Sequence, residues 1–551
     1  MKEANNPDAA LEQFTVQNIK DIHLYSSHFL GDIQPQNSIT YVLIFSAIGL
    51  LILLIASFNY VNLFTANATT RVTEIGVRKT FGSSNTQLAM QFISESVIVF
   101  FISFLISLIL VWLSLPLFNE LSGKVLSISL LSNPNILLSL LTMIIVMGVL
   151  AGWYPAFVLS SYSPTKVMKS NKSDIGSGVQ IKKVLVGTQF IIVIVLIASS
   201  MVMLRQISFL QNKDLGFDKE AVLSTIFDFG DEAKYNTLKQ SLLKQSFVSS
   251  VSVASRIPSG SLNNKGYILP EGQEESILIP YVHVNFDYFR TLGIKPIQGR
   301  LFSDQFKTDA TESIILNKAA VAKLGLEGDP IGQTLSCTWP KSNRKIIGVI
   351  DDIHFESLYN KIKPAVFLIH FPVVYHLIVK VKPSDVVSSK NALAEVCQSI
   401  YSDEVIEFNF LDDQLEFLYQ KDYKTFKLMG FFAALAIFLA SMGLLGMASF
   451  MMTSRTKEIG IRKVNGATVS EIMRMLNLSF VKWMVISFVI ATPIAYYSMN
   501  KWLESFAFKV ALSWWVFALA GLISLIVVLL TVSSLTYIAA QRNPVEALRY
   551  E

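Results

Sequence analysis

The chain has 551 residues, of which 52% are hydrophobic and only 16% charged, with a mean hydropathy of +0.47. Soluble domains carry about 25% charged residues, so this composition excludes an ordinary soluble protein and points to one embedded in lipid. The net charge of +5 is too small to argue for nucleic acid, and the two cysteines, Cys337 and Cys397, make neither a disulfide framework nor a paired-cysteine metal signature; two free buried thiols are expected.

In chain order, residues 1–38 hold no apolar run and carry Lys2 and Lys20 against Glu3, Asp8, Glu12, Asp21 and Asp32. Seven segments then lack any Asp, Glu, Lys or Arg: 41–66, 96–118, 136–158, 184–204, 428–453, 483–500 and 512–537. A bilayer core takes about 20 apolar residues as helix. Backbone amides in lipid must be satisfied internally, so these are predicted membrane helices. The sixth is the shortest and contains Pro493. Between the fourth and fifth lies a long polar segment, 205–427. Its alternating runs Ala221–Ile226 and Lys345–Ile350 predict strands, and Tyr235–Lys244 and Lys390–Ile400 predict helices, giving an α+β domain.

Orientation follows from the loops. Arg71, Arg78 and Lys79 follow the first span; Lys166, Lys169, Lys172, Lys182 and Lys183 the third; Arg455, Lys457, Arg462 and Lys463 the fifth; Arg542 and Arg549 the seventh. The positive-inside rule places these loops in the cytoplasm and 205–427 outside, with Lys424 and Lys427 running locally against it.

One short motif occurs twice. Glu74-Ile75-Gly76-Val77-Arg78-Lys79-Thr80-Phe81-Gly82 returns 384 residues later as Glu458-Ile459-Gly460-Ile461-Arg462-Lys463-Val464-Asn465-Gly466. Each copy follows one apolar run and precedes another. Glu and Arg stand four apart in the favoured order for a helical ion pair, about 0.2–0.5 kcal/mol. Gly82 and Gly466 suit a left-handed helix stop. Ser84 with Gln87, and Thr468 with Glu471, match capping boxes. The pattern predicts that the span's helix continues into the cytoplasm, stops, restarts along the membrane surface, and then turns into the next span. Ordinary basic anchors at a helix end explain Arg and Lys anywhere; they do not explain Glu, Ile, Gly, Arg, Lys and a second Gly recurring in order while the flanking spans diverge.

The duplication extends further. Spans one to three correspond to five to seven, and Ser163–Lys169 aligns with Asn543–Arg549. Phe14–Tyr25 loosely matches Phe408–Tyr419, so residues 1–38 are expected to be the last stretch of a first outside domain, whose remainder and preceding span lie upstream of residue 1. Internal repeats of this size are common in transporters.

The repeated Glu-Ile-Gly-Val/Ile-Arg-Lys-x-x-Gly pattern after a span resembles the FtsX-like (MacB-type) permeases of ABC transporters, in a two-unit form. Asp287-Tyr288-Phe289, Gly299-Arg300, Asp329-Pro330-Ile331-Gly332 and Gly348-Val349-Ile350-Asp351-Asp352 resemble the periplasmic core domain of that type. The resemblance implies an α-helical polytopic membrane protein with an α+β extracytoplasmic domain. It divides the chain into a remnant (1–38), a first permease unit (39–170), a linker and span (171–204), the MacB-like core domain (205–427) and a second permease unit (428–551). It further implies a bacterial inner-membrane permease that is not itself an enzyme and takes no cofactor. Its partners would be the lipid bilayer, a separate ABC ATPase and a periplasmic or outer-membrane component. The ATPase contact, carried over residue by residue, is Glu74, Gly76, Arg78, Lys79 and Gly82, and Glu458, Gly460, Arg462, Lys463 and Gly466. Such a permease would serve export or efflux. The alternative is an FtsX-like regulator that activates a periplasmic partner without moving a substrate.

Other chemistries lack signatures. No G-x-x-x-x-G-K-[ST] phosphate loop and no H-E-x-x-H occurs. Asp351, Asp352 and His354 form an acidic–histidine cluster, for which a strand-end turn is the preferred reading over a metal site. A membrane-anchored sensor or enzyme therefore has no catalytic constellation to rest on. The spans carry no charge to relay protons. Asn59 and Asn62 can bond between helices, and Gly49, Gly148 and Gly152 can admit close packing.

Overall fold

The computed structural model describes residues 18–19, 21, 39–68, 72–160, 177–229, 232–338, 340–383 and 386–541. The segment 1–38 apart from Asn18, Ile19 and Asp21, and the aligned tails 163–169 and 543–549, lie outside the described residues. The chain divides into a membrane unit (Met1–Ser200, Leu428–Ala495, Trp514–Glu551) and an outer unit (Met201–Lys427, Tyr496–Ser513).

In the membrane unit the helices are α1 (Ile39–Ala68), α2 (Val72–Thr80), α3 (Asn85–Ser122), α4 (Pro134–Ser160), α5 (from Ser177), α11 (to Ser454), α12 (Thr456–Val464), α13 (from Val469) and α14 (Trp514–Gln541). Among the described residues seven helices, all of these but α2 and α12, are long and apolar enough to cross a membrane. The protein is a multi-pass membrane protein. On α3, Ile109, Leu110, Trp112 and Leu113 are all well exposed, which in water would be prohibitive and in lipid costs nothing.

Two expectations about these helices need correction. The span does not continue into the motif: Arg455, with φ −108° and ψ 14°, separates α11 from α12, so the motif occupies a short helix of its own. Nor does the restarted helix turn before entering the bilayer. The second and sixth spans are continuous with it, as Asn85–Ser122 and Val469–Leu503. The reason is local. Neither Gly nor Pro lies between each capping box and its apolar run, so nothing interrupts the hydrogen-bond ladder; Pro493 is carried inside α13.

Packing separates the small residues. A β-carbon on Gly148 of α4 would lie 3.0 Å from Val97 Cα, and one on Gly152 would lie 2.6 Å from Ser96 Oγ, so both serve close approach to α3. Gly49 has nothing within 4 Å of such a carbon; it does not serve packing. Around α5, Val186, Phe190 and Ile194 meet Leu444 and Ala448 of α11, Phe480 and Met484 of α13, and Val528 and Val532 of α14.

Among the described residues the outer unit has eleven strands: β1 (Val222–Ile226), β2 (Val248–Ala254), β3 (Lys265–Pro270), β4 (Ile277–Val284), β5 (Pro296–Gly299), β6 (Ser313–Asn317), β7 (Thr334–Thr338), β8 (Lys341–Ile350), β9 (Val366–Ile369), β10 (His376–Val381) and β11 (Asn409–Phe410). The order β4-β3-β7-β8-β6-β9 closes on itself through a parallel β9–β4 pairing with Tyr281 opposite Val366. This ring encloses Ile268, Ile279, Tyr281, Ile314, Leu316 and Ile346. The remaining path β11-β1-β10-β2 joins it where Ala254 pairs with Val284. Two helices, α6 (Glu232–Leu243) and α10 (Val386–Gln398), cover that sheet with Tyr235, Leu238, Leu242, Leu393 and Cys397. Short helices α7 (Tyr288–Thr291), α8 (Asp309–Glu312) and α9 (Lys318–Leu324) complete the unit. The predicted α+β class stands, with each predicted element present and displaced by a few residues at its ends.

The two cysteines are free and buried, Cys337 in the ring core and Cys397 under the other sheet; burial pushes the Cys397 thiol up to about 12. Tyr288 and Phe289 are core residues, at 0% and 1% exposure. The end of α13 and the loop after it also belong here. Phe506 stacks on Tyr359 with ring centroids 4.2 Å apart, and the buried Gln206 donates to the Phe508 carbonyl (2.8 Å) while accepting from the Val510 amide (2.9 Å).

The buried His283 and the partly buried His376 are expected to make this unit acid-sensitive. Burial, with His370 and Arg344 nearby, holds His283 down to about 3; burial and Arg256 hold His376 to about 4. In the unfolded chain a histidine takes its proton near pH 6.5. The unfolded state therefore binds more protons below that point, and stability falls as pH drops from about 6.5 toward 4. For His283, fully buried, the loss between pH 7 and 5 is about 2 kcal/mol. Thermal unfolding of the purified chain should show its outer-unit transition lowered by about 4–8 °C at pH 5 relative to pH 7.5. A flat response would contradict the neutral burial of these rings.

Candidate functional site

The duplicated motif forms the same three-dimensional object twice. In α2, Ile75 is buried against Leu88 and Phe92 of α3 and Ala156 of α4. In α12, Ile459 is buried against Ile472 and Leu476 of α13. Leu88 and Phe92 map onto Ile472 and Leu476 through the same 384-residue offset that relates Ile75 to Ile459. One isoleucine thus fastens each short helix to the next span.

The turn is reproduced bond for bond. Gly82 donates to the Lys79 carbonyl (3.0 Å) and Ser83 to that of Arg78 (3.1 Å); Gly466 donates to Lys463 (3.0 Å) and Ala467 to Arg462 (2.9 Å). This is the double closure of a Schellman motif, and it requires a left-handed residue. Gly82 and Gly466 supply it at φ +96° and +89°; a side chain there would be strained. Both capping boxes form as predicted. Ser84 and Gln87 exchange bonds of 3.0 and 3.3 Å, and Thr468 and Glu471 bonds of 2.9 and 3.3 Å.

The charged residues sit on this frame. Arg78 pairs with Glu74 at 2.7 Å and Arg462 with Glu458 at 2.9 Å. Each arginine also reaches across the turn to the residue thirteen further on. Arg78 Nη1 donates to Gln91 Oε1 at 2.6 Å, and Arg462 Nη1 meets Met475 Sδ. The arginines therefore clamp the short helix to the following one while staying about half exposed. Lys79 and Lys463 are partly exposed, and Gly460 is buried within α12 where Gly76 takes the matching place in α2. All ten predicted residues fall in these two helix–turn–helix elements, five in each.

Sequence reasoning missed the apolar part of the exposed face. Val77 and Phe81 are 50% and 88% exposed, and Ile461 and Val464 are 47% and 65%. The available signal was their spacing of three or four residues on a stripe other than that of Ile75 and Ile459. The other candidate cluster is used up structurally. Asp351 pairs with Lys318 at 2.9 Å, Asp352 accepts the Ala319 amide at 2.8 Å, and the His354 ring packs edge-on to Phe508 at 4.8 Å.

A family described as FtsX-like permease C-terminal matches the chain twice, at residues 46–164 and 430–544, each match containing one copy of the motif. The chain thus carries an FtsX-like permease segment twice. Macrolide export ATP-binding/permease protein MacB of Sodalis glossinidius is 26% identical to this permease over 223 residues, which is 38% of the chain and 34% of the relative. MacB of Escherichia coli is 29% identical over 107 residues, 19% of the chain and 17% of the relative. The matches thus span about a third of the curated relatives' length at most. Among solved structures, the periplasmic region of MacB from Actinobacillus actinomycetemcomitans aligns at 15% identity and TM-score 0.29, covering 38% of this chain and 97% of that one. The extracellular domain of the noncanonic ABC-type transporter YknZ from Gram-positive bacteria aligns at 15% identity and TM-score 0.26, covering 34% and 99%.

Proposed function

We propose that this permease is the transmembrane subunit of an ABC transporter in a bacterial inner membrane, driven by a separate ATPase that docks on the two helix–turn–helix elements. The observation that carries the proposal is the duplicated geometry: the same turn, with a corresponding arginine contact and capping box, occurs twice in one polypeptide and suits the two halves of an ATPase dimer. The contacts would be made by Glu74, Gly76, Arg78, Lys79 and Gly82, by Glu458, Gly460, Arg462, Lys463 and Gly466, and by the exposed Val77, Phe81, Ile461 and Val464 beside them. With the basic loops in the cytoplasm, residues 205–427 form the extracytoplasmic domain between permease units 39–170 and 428–551. ATP-driven motion at the turns would be carried through rigid, packed helices to that domain for export or efflux, the activity named in the MacB relatives.

The test is reconstitution. The chain co-expressed with a candidate ABC ATPase from the same genome should purify as a complex and raise that enzyme's hydrolysis rate in proteoliposomes. Absence of both effects would overturn the docking reading. Loss of efflux or lipoprotein release in a deletion strain supports export, whereas loss of cell-wall cleavage with export intact assigns the FtsX-like regulatory role instead.

A further inference from the structure

The offset that relates the two motifs also relates the helices before them, and at one place equivalent residues meet. Asn59 on α1 corresponds to Gly443 on α11, and Asn62 to Gly446. A β-carbon on Gly443 would lie 2.9 Å from Asn59 Cγ and closer still to its Oδ1; one on Gly446 would lie 3.1 Å from Leu63 Cγ and closer still to a Leu63 methyl. The Asn59 amide fills the space that Gly443 leaves. Asn59 Nδ2 donates to the Leu439 carbonyl at 2.6 Å, and Gln189 Nε2 on α5 donates to Asn59 Oδ1 at 2.8 Å and to the Ile55 carbonyl at 3.3 Å. Asn59, Asn62 and Gln189 are 8%, 3% and 1% exposed, and neither Asn62 side-chain atom has a hydrogen-bond partner among the described residues.

Contact between equivalent residues places a pseudo-twofold axis between α1 and α11. With two identical halves, such an axis sets each residue against itself. Two copies of the first half would then oppose Asn59 to Asn59 with no glycine to receive either side chain. Two copies of the second half would oppose Gly443 to Gly443 and leave a void. We propose that this α1 face is an interaction surface whose partner is α11 of the same chain: a knob-and-hole lock that pairs the first permease half with the second and rejects a second copy of itself. Repulsion built against the wrong partner is the usual source of such selectivity. The polar pair adds to it, because Asn59 turned toward lipid would lose both partners in a medium that offers none. The lock does not depend on the ATPase.

Two experiments on the full chain test it. In Asn59→Cys/Gly443→Cys, oxidation should link the two positions within one chain, read by mass spectrometry, while Asn59→Cys and Gly443→Cys singly stay at monomer mass on a non-reducing gel. The native cysteines are buried and give the background. Interchain dimers from either single variant, or no intrachain link in the double, overturn the proposal. Separately, Gly443→Asn overpacks the site and should lower the unfolding temperature by about 5 °C. Adding Asn59→Gly should recover at least half of that loss, because the new amide faces Gln189 Oε1, which has no hydrogen-bond partner among the described residues and lies 3.3 Å from the Gly443 β-position. Additive losses, or no loss in Gly443→Asn, would refute the lock.

Discussion

Replacing Arg78, Lys79, Arg462 and Lys463 together with Glu is expected to lower affinity for the ATPase by about a hundredfold or more while leaving the permease inserted and monodisperse. The arginines carry two jobs at once. Their half-exposed guanidinium groups present charge, and their contacts to Glu74 and Gln91, or to Glu458 and Met475, hold the short helix at a fixed angle to the next span. Reversal removes the clamp and sets Glu beside Glu at the i,i+4 spacing, which is itself destabilising. The lysines separate charge from geometry. Lys79→Glu with Lys463→Glu leaves both Glu–Arg pairs in place, and the Schellman bonds use backbone carbonyls; a loss of about tenfold is expected. Reversal in one copy only should cost less than half of the full effect in free energy, since two linked sites on one chain reinforce each other. Pull-down and surface binding with purified ATPase measure all three variants, and wild-type binding by the fourfold variant would rule out docking at these turns.

How much of this was legible in the sequence depended on whether the determining contacts were local. The helix stop at Gly82, the capping box of Ser84 with Gln87, and the Glu74–Arg78 pair each join residues no more than five apart, so spacing alone specified them. Two strands and two helices of the outer unit, β1, β8, α6 and α10, showed in the local sequence pattern. What stayed hidden was long-range. The parallel β9–β4 pairing joins residues more than eighty apart, and no periodicity marks which strands close a ring. The Arg78–Gln91 contact crosses a turn, so the arginine read as a surface charge rather than as half of a clamp. The unbroken α3 and α13 were misread because charged and polar residues after the caps resembled a surface segment. The backbone, lacking any Gly or Pro there, simply continued. Gly49 and Gly148 looked alike, and only the presence of α3 against one of them told them apart.

Substituting Asp309 or Arg300 is expected to be the most damaging single change in the outer unit, and pH distinguishes the two. Asp309 is 0% exposed and takes both Arg300 η-nitrogens at 2.5 and 2.7 Å, the Ser303 amide at 3.0 Å and the Ser313 hydroxyl at 2.9 Å. Burial pushes its carboxyl up, but Arg300, the Ser303 amide and Ser313 outweigh that and hold it below the usual carboxylate range. Asp309→Ala leaves the part-buried Ser303 N–H without its acceptor, while the Arg300 side chain, 40% exposed over the Phe306 ring, can turn back to water. Arg300→Ala leaves a carboxylate at 0% exposure with no counter-charge, the costlier error, at about 3–5 kcal/mol. That carboxylate can escape by taking a proton. Its pKa should rise above that of the unfolded chain, so the Arg300→Ala deficit is largest at neutral pH and shrinks as pH falls toward 5. The Asp309→Ala deficit has no carboxyl left to titrate and should stay nearly constant over the same range. Thermal unfolding at pH 7.5 should show Arg300→Ala lowered by about 10 °C or more, and at pH 5 the gap to wild type should narrow. A gap that is the same at both pH values would show that Asp309 is not held charged by Arg300.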